Sequence, residues 1–220
     1  MRIDLQKKAE NIRKDLIKLA PTPDNLGAVE MLTALIGSIK NNPRKPDWQE
    51  RDRVFVTNKI WPAWRTTLAH TGYFAKKQLL QNEEQEIHGE LSIAVGSALA
   101  ARMDGKPHRT YCVLADEDHN KGTTWEAILT AGAKKLNNIT AIIDRNNIQT
   151  NGYTENILPL EPLRAKYEAF NWNVIEVDGH DIQHVIEAIQ EAKTSMKPTA
   201  IIAHTIPGKG IKELENKWTQ

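Results

Sequence analysis

The chain has 220 residues, 40% of them hydrophobic, which is enough for one sizeable core, and we expect a single domain over residues 1–220. Its formal net charge is +1 with both signs mixed along the chain, so it carries no electrostatic footprint for nucleic acid or an anionic membrane. The charged N-terminus lacks an apolar leader core and no apolar run approaches membrane-spanning length, so the expectation is a cytoplasmic protein.

Residues 3–19 read as an amphipathic helix with Leu5, Ala9, Ile12, Leu16 and Leu19 on one face. Pro21-Thr22-Pro23 ends it, and Asp24 is the expected cap of a second helix whose buried stripe is Ala28, Met31, Leu32, Leu35 and Ile36. A Pro-rich connector over 41–50 leads to a short strand, Asp52 to Val56. Trp61 and Trp64 follow, either as an aromatic wall for an apolar substrate or, the commoner use, as core aromatics. Charge density rises over 78–90, after which Leu91 to Ala100 reads as a small-residue helix made for close packing.

Tyr111 to Ala115 is an apolar run of the kind that fills the middle of a parallel sheet, and it holds the single cysteine, Cys112, which excludes disulfides within the chain. It stops at the polar cluster Asp116 to Gly122. A helix then starts, with Thr123 and Glu126 at capping-box spacing and Trp125, Ile128, Leu129 and Ala133 along its inner face. The next apolar run, Ile139 to Ile143, ends at Asp144-Arg145-Asn146-Asn147. Beyond it come a helix from Pro159 to Phe170, a strand from Asn173 to Val177, a helix from Ile182 capped by Asp181, and a last strand from Pro198 to His204. The pattern defines an α/β fold: a mainly parallel sheet with helices on both faces.

In such a sheet both polar clusters leave the carboxyl ends of strands, where doubly wound folds place their ligands. Asp116 and Asn146, 30 positions apart in sequence, then lie side by side. A carboxylate, an amide oxygen and a nearby backbone carbonyl suit Mg²⁺ or Ca²⁺, with phosphate oxygens completing the shell. The structural alternative is that both are turn residues satisfying backbone groups at strand ends. A nucleotide-binding domain of another kind is disfavoured, because no Gly-x-Gly-x-x-Gly follows a strand and no Gly-x-x-x-x-Gly-Lys-Ser/Thr occurs.

Taken whole, the stretch resembles the thiamine-diphosphate motif of the transketolase family, which begins Gly-Asp-Gly and ends at an Asn about thirty residues later. LSIAVGSALAARMDG before it, then DRNNIQTNG, ENILPLEPL, NWNVIEVDGHD and IIAHTIPGKG, match that family in order over nearly the whole chain. The resemblance implies the thiamine-diphosphate-binding fold, with Asp116 and Asn146 binding Mg²⁺ through their side chains, Ile148 through its backbone carbonyl, and Glu117 beside the cofactor. It further implies the N-terminal subunit of a split enzyme that transfers a ketol or acyl unit. The cofactor-activating glutamate would come from a separate C-terminal subunit with a pyrimidine-binding domain, in an assembly of two copies of each chain.

Against the family pattern, Gly-Asp-Gly has become Ala115-Asp116-Glu117, which adds bulk and charge where backbone would approach a diphosphate. Lys121 replaces a glutamate of the family's carboxylate relay, whereas Glu126, a second relay position, remains. Pro21 and Trp61 stand where relatives carry histidines, and Glu86 to Glu90 replaces a glycine turn, leaving His88 as a candidate substitute. Losing hydrogen-bonding groups from a site changes which substrate it accepts, so the expected substrate is not an ordinary sugar phosphate. The competing expectation is a catalytically retired domain kept as a structural or regulatory partner.

Overall fold

The computed structural model describes residues 2–19, 21–80 and 88–218. Helix α1 (Arg2–Leu19) buries Leu5, Ala9, Ile12 and Leu16, whereas Leu19 in its last turn is exposed. The short helix α2 (Pro23–Gly27) is capped by Thr22, whose hydroxyl accepts the Asn25 amide at 3.4 Å. Pro23 occupies the first helical position, which puts the cap two residues earlier than Asp24 and leaves Asp24 buried inside the helix. Helix α3 (Val29–Ser38) buries Met31, Leu32, Leu35 and Ile36 as its periodicity predicts.

Among the described residues the main sheet has five parallel strands: β1 (Arg53–Val56), β2 (Thr110–Ala115), β3 (Ile139–Arg145), β6 (Asn173–Asp178) and β7 (Thr199–His204), in the order β1-β2-β3-β7-β6. A small antiparallel hairpin, β4 (Ile148–Gln149) and β5 (Gly152–Tyr153), lies between β3 and β6 in sequence. Strands β2 and β3 are buried at every position, and alternate side chains serve opposite faces. Tyr111, Val113 and Ile142 pack with α1, α3, α4 (Trp61–Thr71) and α9 (Ile182–Thr194). Cys112, Leu114, Ala141 and Ile143 pack with α5 (Glu90–Met103), α6 (Gly122–Ala133) and α8 (Leu163–Ala169). Helices on both faces of a parallel sheet are therefore what the alternation produces.

Two local expectations differ. Helix α6 has no capping box: Lys121 is its cap residue and its side chain makes no capping bond, while Thr124 Oγ1 donates to the Asp118 carbonyl at 2.6 Å. Its inner face is Ala127, Ile128, Ala131 and Gly132, with Leu129 and Ala133 exposed. Gly132 explains the rotation, because a Cβ there would lie 1.8 Å from the Phe170 carbonyl oxygen; only a glycine lets the helix approach that closely. The expected helix over 159–170 is confined to α8, after the short helix α7 (Thr154–Ile157). Trp64 is a core residue at 5% exposure and Trp61 is partly buried against the same core, which favours the packing role for this pair. Asp181 caps α9 as expected, accepting the Gln183 amide at 2.8 Å.

Candidate cofactor and metal site

The carboxyl ends of β2, β3 and β7 converge with α2 and the β4–β5 hairpin on an acidic cluster. Register places Ala115 of β2 beside Asp144 of β3, and Arg145 beside His204 of β7. Residues 116–120 of the polar cluster form a short 3-10 helix that starts at Asp116.

Asp116 is completely buried. Its Oδ2 accepts from Arg145 Nη1 at 2.6 Å and from Thr154 Oγ1 at 2.9 Å, while Oδ1 has no hydrogen-bond partner among the described residues. Burial raises its pKa to about 6 even against the Arg145 guanidinium. Asn146 is 3% exposed; its amide nitrogen donates to Asp24 Oδ1 at 3.1 Å and its oxygen accepts the Ile148 amide at 3.0 Å. Ile148 is thereby held beside Asn146 at the start of the hairpin. Asp144 is buried too, bonded to the Thr205 hydroxyl, and burial pushes its pKa up to about 8. Asp24 is shifted upward by burial, partly offset by Lys59.

Three buried carboxyl groups, Asp24, Asp116 and Asp144, thus share one end of the sheet, with Lys59 and Arg145 as the cations shown beside them. Among the described residues no group of three or more His, Cys, Asp or Glu side chains could hold a metal ion by itself. A divalent ion here would depend on one carboxylate oxygen, amide and backbone oxygens, and phosphate from a cofactor. The partnerless Asp116 Oδ1 in an acid-rich cluster fits that requirement.

Glu117 does not obstruct the cluster. Its Oε2 accepts the Thr150 amide at 3.1 Å, the Thr150 hydroxyl at 2.8 Å and the Lys59 ammonium at 3.4 Å. Burial raises its pKa, but these donors outweigh burial and hold it below the usual range. Lys121 pairs with Asp118 at 2.6 Å, and Asp118 in turn accepts the Ala115 amide, so the altered charge is absorbed locally.

The structure therefore brings Asp116, Asn146, Ile148 and Glu117 around one cluster. Glu126 is exposed on α6, and His88 is exposed just before α5, neither bonded to this cluster among the described residues. Glu86 and Ile87, part of the altered glycine turn, lie outside the described residues. Sequence reasoning missed Arg145, Thr154, Lys59 and Asp24 as members of the site. The signal for Arg145 was present, since it stands two residues after the apolar run Ile139 to Ile143, at the end of a buried strand where a charged residue must find a partner.

This fold and cluster define an α/β cofactor domain of the thiamine-diphosphate-binding type. The family model described as transketolase, thiamine diphosphate binding domain, matches residues 94–219. The Campylobacter jejuni transketolase superposes with a TM-score of 0.88 at 28% identity, over 97% of this chain and 39% of that one. The chain belongs to the transketolase family and corresponds to its N-terminal, cofactor-binding part. It is 34% identical to the 6-deoxy-6-sulfo-D-fructose transketolase subunit of Clostridium sp. (strain MSTE9), over 98% of this chain and 89% of that protein. It is 32% identical to an apulose-4-phosphate transketolase subunit of Actinobacillus succinogenes, over 97% of this chain and 88% of that protein. No helix among the described residues is long and apolar enough to cross a membrane.

Proposed function

We propose that this chain is the diphosphate-binding subunit of a split, thiamine-diphosphate-dependent transferase of the transketolase type, working in the cytoplasm. The observation that carries the reading is the fully buried, partnerless Asp116 Oδ1 at the strand ends of a domain from this family. Asp116, Asn146 and the Ile148 backbone hold Mg²⁺ and, through it, the cofactor diphosphate. When bound, thiamine diphosphate supplies the carbon nucleophile that takes a ketol or acyl unit from a donor carbonyl and passes it to an acceptor.

The protein's own contribution is orientation and charge. Arg145 and Thr154 fix the Asp116 carboxylate. Asn146 links Asp24 to Ile148 and so ties α2 to the hairpin. Lys59, 3.7 Å from Asp24 and 3.4 Å from Glu117, keeps two carboxylates from repelling a diphosphate.

The activating glutamate belongs to a second polypeptide with a pyrimidine-binding domain, in an assembly of two copies of each chain. Supporting this, the relatives that match over most of their own length are named as subunits, whereas this chain spans 39% of a one-chain transketolase. The substrate departs from the ordinary sugar phosphates, since Pro21 and Trp61 replace sugar- and cofactor-facing histidines; the two named relatives likewise carry names with a sulfonated deoxyketose and apulose 4-phosphate.

Isothermal titration of thiamine diphosphate with Mg²⁺ into the chain co-purified with its partner tests the reading. Binding that Asp116→Ala abolishes supports it. Equal binding by both proteins overturns the metal assignment, and no binding by either leaves a retired domain with a structural role.

A further inference from the structure

Arg53 and Thr110 are register partners where β1 and β2 begin, at the end of the sheet opposite the cofactor cluster, and Arg51 and His108 stand two positions before them. Both guanidinium groups are held by backbone carbonyls. Arg51 Nε donates to the Pro46 carbonyl at 2.6 Å and Nη1 to the Asp52 carbonyl at 3.3 Å. Arg53 Nη2 donates to the Gln49 carbonyl at 2.9 Å and Nη1 to that of Arg51. Asp52 is the carboxylate between them, yet its oxygens accept the Lys40 and Arg109 amides, at 2.8 Å each. Neither arginine therefore has a carboxylate hydrogen-bonded to it among the described residues.

His108 is 8% exposed, and its Nδ1 has no hydrogen-bond partner among the described residues; nor has the hydroxyl of the wholly buried Thr110 two residues on. Burial lowers the His108 pKa, and Arg53, Arg51 and Lys106 lower it further against the opposing effect of Asp52. Burial and then Arg51 likewise lower the pKa of Arg53. The fold thus presses like charges together around an unpaired buried ring nitrogen, a repulsion that a bound anion relieves. A guanidinium has more N–H donors than these carbonyls use, in a planar fork that matches phosphate oxygens. Two guanidinium groups beside an imidazole suit an anion of roughly two negative charges, which a phosphate group carries. We propose that Arg51, Arg53 and His108 form a binding site for a phosphate group at the amino ends of β1 and β2. The site is separate from the cofactor cluster and does not rest on the reading of that cluster.

The test is isothermal titration of sodium phosphate, and separately of glycerol 3-phosphate, into the full chain with the subunit that co-purifies. Ionic strength is held constant with chloride, and thiamine diphosphate and Mg²⁺ are present throughout so that the cofactor position is not offered. Wild type is expected to bind, and Arg53→Gln and His108→Gln are each expected to weaken binding about tenfold, the scale of one lost bond to a charged group. Arg44→Gln removes the same charge from the exposed connector and is expected to change the affinity less than about threefold. Thermal unfolding establishes that each variant is folded, and His108→Gln carries the test if Arg53→Gln is not. Binding of inorganic phosphate alone assigns the site to the free ion, whereas equal or tighter binding of the ester assigns it to a phosphorylated small molecule. No binding of either probe by wild type overturns the proposal. So does a loss in the folded site variants no larger than that in Arg44→Gln.

Discussion

The Glu117 carboxylate accepts both the backbone amide and the hydroxyl of Thr150, at 3.1 and 2.8 Å. A side chain that replaces a motif glycine is thus folded back onto the hairpin, with Lys59 bridging it to Asp24. The substitution that reads as an obstruction in the sequence is a fastening in the structure.

Lys59→Met should weaken thiamine diphosphate binding at least tenfold, because it leaves Asp24 and Glu117 without their shared cation. Glu117→Gly alone should change the affinity by less than about threefold, since the carboxylate is already taken up. Adding Glu117→Gly to Lys59→Met should recover part of the loss. A full double-mutant cycle by calorimetry checks this, and strict additivity of the two effects would contradict the fastening.

Gly132→Ala should cost about 3 kcal/mol or more, because the new Cβ meets the Phe170 carbonyl, a backbone atom that cannot step aside cheaply. Gly96→Ala, in the exposed part of α5 with nothing within 4 Å, should instead stabilise by about 0.5–1 kcal/mol through helix propensity. Urea unfolding of both variants measures the contrast.

The Arg13–Glu30–His180 cluster predicts an acid-sensitive contribution away from the cofactor site. Arg13 reaches both Glu30 oxygens, at 2.6 and 2.7 Å, and His180 Nδ1 lies 3.1 Å from Glu30 Oε2. Burial raises the Glu30 pKa, but His180 and Arg13 overcome it and bring it down to about 2. A depressed carboxylate pKa stabilises the fold above its unfolded value and loses that effect as pH falls through the folded one. Glu30→Gln should therefore cost about 3 kcal/mol near pH 7, and the gap from wild type should narrow between about pH 4.5 and pH 2. Urea midpoints across that range provide the readout.

Thr22→Ala should cost about 1 kcal/mol, the value of an N-cap, whereas Asp24→Asn should leave the α2 cap intact. Chemical denaturation separates the two roles: a larger loss of the helix signal in Asp24→Asn than in Thr22→Ala would return the cap to Asp24.

The sheet and its two packing faces are legible in the sequence because Tyr111 to Ala115 is apolar throughout and Ile139 to Ile143 is apolar but for Thr140, the pattern of strands covered on both sides. Asp116 and Asn146 are legible through where those runs stop. The orientation of α6 is not, since Leu129 fits a helical stripe as well as Ala131 does and the deciding contact is a close approach at Gly132. Nor are Asp24 and Lys59 legible as neighbours of Asn146 and Glu117, because nothing local in the chain records that α2 and the segment before α4 are carried over the strand ends.

That carriage governs when the site can exist during synthesis. Asp24 meets Asn146 across 122 positions, the Asp144 carboxyl waits for the Thr205 hydroxyl, and the Gly208 amide closes on the Pro23 carbonyl at 2.8 Å. While the ribosome still holds the last strand, the cluster lacks a wall and its carboxyl groups stay open to water. The proposed site is therefore complete only after the chain has emerged as far as Gly208, and truncation before residue 205 removes the hydroxyl that holds the Asp144 carboxyl.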